Sequence, residues 1–65
     1  MEQRRIRELR VGLGLSQERF ARLLGVSLQT VRRWEGGLTR PLPIISMKLE
    51  ELQREAQASQ RRGGV

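Results

Sequence analysis

One arrangement occurs twice in this chain, eleven residues apart, within and beside the stretch Ser16–Trp34, SQERFARLLGVSLQTVRRW. Leu15 precedes Ser16 and Phe20 follows it by four positions; Val26 precedes Ser27 and Val31 follows it by four. Each serine is suited to cap a helix, its hydroxyl accepting a bond from a free amide of the first turn. Each flanking apolar pair forms a hydrophobic staple, which fixes the angle at which the chain enters the helix. Glu18 falls in a first turn, where negative charge meets the positive end of the helix dipole. Gly25 lies between the two repeats, and without a Cβ it reaches positive φ at little cost. The pattern predicts two short helices joined by a tight glycine turn.

The flanking segments are also predicted to be helical. From about Glu2 to Leu13, the residues Ile6, Leu9 and Leu13 recur at i, i+3 and i+7, and Gly14 fits a left-handed helix end. After Trp34 the segment EGGLTRPLP reads as a loop, since it carries two adjacent glycines and two prolines. From about Pro43 to Ala58, Ile45, Leu49, Leu52 and Ala56 form an apolar stripe. That stripe is a core face, and its Leu49, Leu52 and Ala56 end also suits a dimer seam, which uses a similarly narrow stripe. The terminal SQRRGGV is too poor in apolar groups to pack. The expectation is an all-α domain over 1–58, of four helices with room for a fifth, and a disordered basic tail over 59–65.

A chain of 65 residues forms one small domain and buries only about 60% of the surface its unfolded form exposes. It contains no Cys and no His, which removes disulfides, thiolate chemistry and the usual zinc ligands. With Asp and Tyr also missing, nucleophile–base pairs have few candidates, and Lys48 has no partner cluster. No enzymatic activity, metal or cofactor is expected. No apolar run approaches the roughly 20 residues of a membrane span, and the charged N-terminus lacks a signal-peptide apolar region. A cytoplasmic location is expected. The net charge of +6, from 13 Lys and Arg against 7 Glu, suggests a polyanionic partner.

The paired helices fit a helix-turn-helix, in which two helices cross steeply across a short turn. The close crossing needs a small residue, supplied by Ala21. Phe20, Leu24, Val26, Val31 and Trp34 supply its apolar interior. At roughly 100° per residue the second of these helices, about 27–35, divides into two faces. Thr30, Val31 and Trp34 face inward, whereas Leu28, Gln29, Arg32 and Arg33 form the outward arc. Arg pairs with guanine O6 and N7, and Gln with adenine N6 and N7, so this arc suits base edges in the major groove of double-stranded DNA. Single-stranded binding is disfavoured, because stacking platforms need several exposed aromatics and only Phe20 and Trp34 exist.

The segment LRVGLGLSQERFARLLGVSLQTVRRWEGGLTRP resembles the family of lambdoid phage repressors, Cro proteins and XRE-type bacterial regulators. The resemblance covers about residues 4–52. It is carried by Leu-Ser-Gln at 15–17, Ala21, Gly25, Val31 and the run from Glu35 through Gly37 to Pro41. It implies a lambda-repressor-like fold and sequence-specific double-stranded DNA binding in transcriptional regulation, with a homodimer on DNA. It further implies that positions 28, 29 and 33 enter the major groove and that Gln17, Thr39 and Arg40 meet phosphates. An ion pair between Arg10 and Glu35 is implied as well. The expected base readers are therefore Leu28, Gln29 and Arg33, with Gln17, Ser27, Arg32, Thr39 and Arg40 along the DNA backbone.

The chain departs from that pattern in three places. Leu28 replaces a polar reader and suits a thymine methyl. Gly36 replaces a frequent Asn, and the family's fifth helix has no counterpart after Ala58. An alternative reading is a protein-interaction or antitoxin-like module of the same fold, whose main partner is another protein.

Overall fold

A computed structural model describes residues 1–63, with side chains described through residue 58. It contains α1 (Gln3–Gly12), α2 (Gln17–Leu24), α3 (Leu28–Glu35) and α4 (Pro43–Gly63), and no strand among the described residues.

Local chemistry explains the helix boundaries. Ser16 and Ser27 stand in extended conformation ahead of α2 and α3. Each Oγ accepts a 3.1 Å hydrogen bond from the amide three residues on, Arg19 N for Ser16 and Thr30 N for Ser27. α2 stops at Gly25, which has φ +73°; the Val26 amide donates to the Ala21 carbonyl and the Gly25 amide to that of Arg22. Those two bonds are the paired closure of a Schellman motif, satisfying carbonyls that the last turn would otherwise leave free. α1 and α3 close by the same pair of bonds at Gly14 and Gly37. α4 begins on Pro43, whose missing N–H costs nothing at a first helical position.

The core consists of Ile6 and Leu9 from α1, Phe20, Ala21 and Leu24 from α2, Val31 and Trp34 from α3, and Leu49 from α4. Phe20, Val31 and Leu49 have no exposed surface. Burying a side chain of this class contributes about 1.5–3 kcal/mol, so these few groups hold the domain together. Leu15 and Val26, the leading halves of the two staples, pack on the margin of this cluster. α3 lies mainly on α2 and then on α1, while α4 crosses α1. An Arg5 Nη2 bond to Gln53 Oε1, at 3.4 Å, adds an exposed link between α1 and α4.

Two helix ends differ from the sequence-based expectation, while the expected core face of α4 is observed. α1 ends at Gly12, and Leu13 follows it as a half-buried cap residue that still packs on the core. The apolar stripe of α4 is a core face: Leu49 is fully enclosed and Ile45 and Leu52 pack beside it. At the end of that stripe Leu52 and Ala56 are only half-buried. Finally, helical backbone continues past Ala58 to Gly63, the last residue whose backbone is described. No separate fifth helix occurs among the described residues. Residues 64 and 65, the end of the expected disordered tail, lie outside the described residues.

Candidate nucleic-acid interface

The site is organised by the two sides of α3. Val31 and Trp34 anchor its inner side, so the helix cannot rotate without opening the core. On the outer side Gln29, Arg32 and Arg33 are exposed, and Leu28 is half-buried at the first turn. Among the described residues, Arg32 and Arg33 enter no salt bridge. Their charge is available to an external anion, and their place in the last turn of α3 also suits the negative end of its dipole.

Ser27 and Thr30 form a small hydroxyl pair at the start of α3. Their oxygens lie 2.8 Å apart, while Ser27 Oγ also accepts the Thr30 amide. Two hydroxyls carry two protons, and their mutual contact uses one. The other remains able to donate to an oxygen outside the protein. Thr30 was expected on the inner face; it is half-buried, and its hydroxyl reaches the cap. The cap spacing marked Ser27, but nothing in the sequence pattern singled out its hydroxyl partner.

The far end of α3 is fixed by charge. Glu35 accepts from Arg10 Nε at 2.7 Å and Arg10 Nη2 at 3.0 Å, a two-pronged guanidinium–carboxylate pair. Arg10 Nη1 also donates to the Leu15 carbonyl at 2.9 Å, and Gln17 Nε2 donates to Glu35 Oε1 at 3.3 Å. The end of α1, the linker to α2, the first turn of α2 and the end of α3 therefore meet at one carboxylate. The two charged side chains retain only 15% and 7% of their exposure, so solvent screens this pair weakly. The hydrogen bond to Glu35 raises the Arg10 pKa above its ordinary value, against a smaller opposing effect of burial. Gln17 keeps its second amide N–H for another acceptor. The Gln17–Glu35 bond spans two helices and has no signature in local spacing.

Thr39 and Arg40 lie beyond α3, exposed along a cleft shared with Met1, Gln3 and Gly37. Gly37 has φ +76°, and a Cβ there would collide with the Gln3 side chain. The return from α3 thus passes directly beneath the end of the Gln3 side chain. The structure thus brings Gln17 to the Arg10–Glu35 pair and exposes Gln29, Arg32 and Arg33 together on α3. It sets Thr39 and Arg40 apart on the following loop.

Other chemistries gain no support from the described geometry. Phe20 and Trp34 are both buried, so neither offers a stacking surface for an unpaired base. Among the described residues, no group of His, Cys, Asp or Glu is placed to hold a metal ion, and no helix is long and apolar enough to cross a membrane.

A protein-family model described as helix-turn-helix matches residues 6–52 of the chain. No curated protein and no solved structure matches it.

Proposed function

Because the chain belongs to the Cro/C1-type helix-turn-helix (XRE) family of DNA-binding domains, we propose that it is a sequence-specific transcriptional regulator. The observation carrying this reading is the division of α3: Val31 and Trp34 are locked into the core, while Gln29, Arg32 and Arg33 are left uncommitted outside. A helix held so firmly presents its outer side chains at fixed angles, which base recognition requires.

In this reading α3 lies in the major groove. Arg33 reads guanine and Gln29 reads adenine through paired hydrogen bonds, and Leu28 meets a thymine methyl. Gln17 uses its free amide N–H, and the Ser27–Thr30 pair its free proton, on phosphate oxygens. Arg32, Thr39 and Arg40 complete the backbone contacts, which position the protein without reading sequence. The protein acts in the cytoplasm as a homodimer on a two-fold site, with half-sites about 34–36 Å apart.

Selection of bound sites from a random duplex library tests this directly. The expected result is a two-fold symmetric sequence bound far more tightly than random duplex. Recovery of no sequence preference, with equal affinity for every duplex, would overturn the proposal.

A further inference from the structure

α4 is longer than the surface that covers it. It packs inward through Ile45, Leu49 and Leu52, and its opposite side is open. Along that open side Ile44, Met47, Glu51, Arg54 and Ala58 follow one another at spacings of three, four, three and four, all exposed. This is the spacing of a helix–helix seam. Ile44 is 74% exposed and Met47 68%. Scattered exposed apolar groups are ordinary, but Ile44 and Met47 lie one turn apart on the same side of α4, and adjacent exposed apolar groups on one face point to a partner.

We infer that a second copy of this chain docks on the outer face of α4, the two α4 helices packing antiparallel about a two-fold axis. The inference rests on the homodimeric reading proposed above and names the surface it uses. Charge identifies the occupant. In a two-fold contact each residue pair occurs twice, so a self-binding face must be complementary to itself. With the axis between positions 52 and 53, Glu51 faces Arg54 of the partner subunit, and the reverse pair follows by symmetry. Met47 then meets Ala58 of the partner subunit. On one flank Lys48 comes within reach of Glu55 of the partner subunit, and on the other Glu50 lies beside Gln57 of the partner subunit. No like charges are opposed in this register. A parallel pairing in register would set Glu51 against Glu51 of the partner subunit, and Arg54 against Arg54 of the partner subunit, which is repulsive. The seam is short, so the free dimer is weak and DNA with two half-sites completes it.

Charge reversal tests the arrangement at exposed positions. The readout is the ratio of affinity for a two-half-site duplex to affinity for a single half-site, because single reversals also change net charge. Sedimentation at high protein concentration is run alongside. The wild-type chain is expected to favour the double site by about tenfold beyond independent binding. E51R alone and R54E alone each lose that gain, and the double reversal E51R/R54E, which restores complementarity and net charge, recovers it. Unchanged melting temperatures show that all variants fold. Loss in both single variants without recovery in the double overturns the inference, as does a wild-type chain that binds half-sites independently and sediments as a monomer. If no duplex is bound with sequence preference, the DNA reading fails. Sedimentation then decides the docking by itself, through dimers lost on single reversal and regained on double reversal. Stoichiometric binding of a different protein that E51R/R54E abolishes, with no self-association, also overturns it.

Discussion

Glu35 holds more of the interface geometry than any residue expected to touch DNA. It takes hydrogen bonds from Arg10 and Gln17, and through them joins three helices at the end of α3. Removing Arg10 would leave a nearly buried carboxylate with one amide partner, and uncompensated buried charge is costly. Arg10→Ala is expected to lower stability by about 3 kcal/mol in urea denaturation, a large share of the total for so small a domain. Replacing both partners with apolar residues should cost less than the single change, since no charge is then stranded. Arg33→Ala is expected to behave oppositely, with stability unchanged and preference at one base pair reduced by about 1–3 kcal/mol. A gel-shift titration showing an unaltered ratio of specific to random affinity would rule out Arg33 as a reader.

At the scale of the element, each of the first three helices is closed by a positive-φ glycine within two residues of its end, and α2 and α3 are preceded by a capping serine. At Gly25 a Cβ would meet nothing within 4 Å, so the cost of a side chain there is purely conformational. Gly25→Ala is expected to lower stability by about 1 kcal/mol, with no change in the packing of the core around Phe20 and Val31, as thermal melting and amide spectra would show. These boundaries were legible in the sequence because caps, staples and glycine ends are written within a few residues. The inner face of α3 was legible for a related reason, since Val31 and Trp34 repeat at helical spacing. The core face of α4 was legible in the same way, through the apolar stripe Ile45–Leu49–Leu52. What spacing could not assign was the use of its opposite side, where Ile44 and Met47 lie exposed beside Glu51 and Arg54. The bond from Gln17 to Glu35 and the Thr30 hydroxyl at the α3 cap were hidden likewise, because each depends on side-chain placement that periodicity does not encode.

On the scale of the whole molecule, a net charge of +6 on 65 residues gives any duplex a strong non-specific pull, so binding should fall steeply with salt. Arg40 lies on the loop beyond α3, and the proposed reading assigns it to this general attraction. Arg40→Ala is expected to weaken specific and random duplexes alike and to reduce the slope of log affinity against log salt by about one unit. A salt series on both duplexes would check it; selective loss on one would make Arg40 a reader instead. The core itself offers a different measurement. Trp34 is the chain's one tryptophan, no tyrosine is present, and the indole is packed inside on the very helix that presents Arg33 outside. Its ultraviolet emission should therefore be that of a shielded indole, shifting to the red when the domain opens. It should remain nearly silent when α3 meets a duplex. A single spectrum would then report folding without interference from binding.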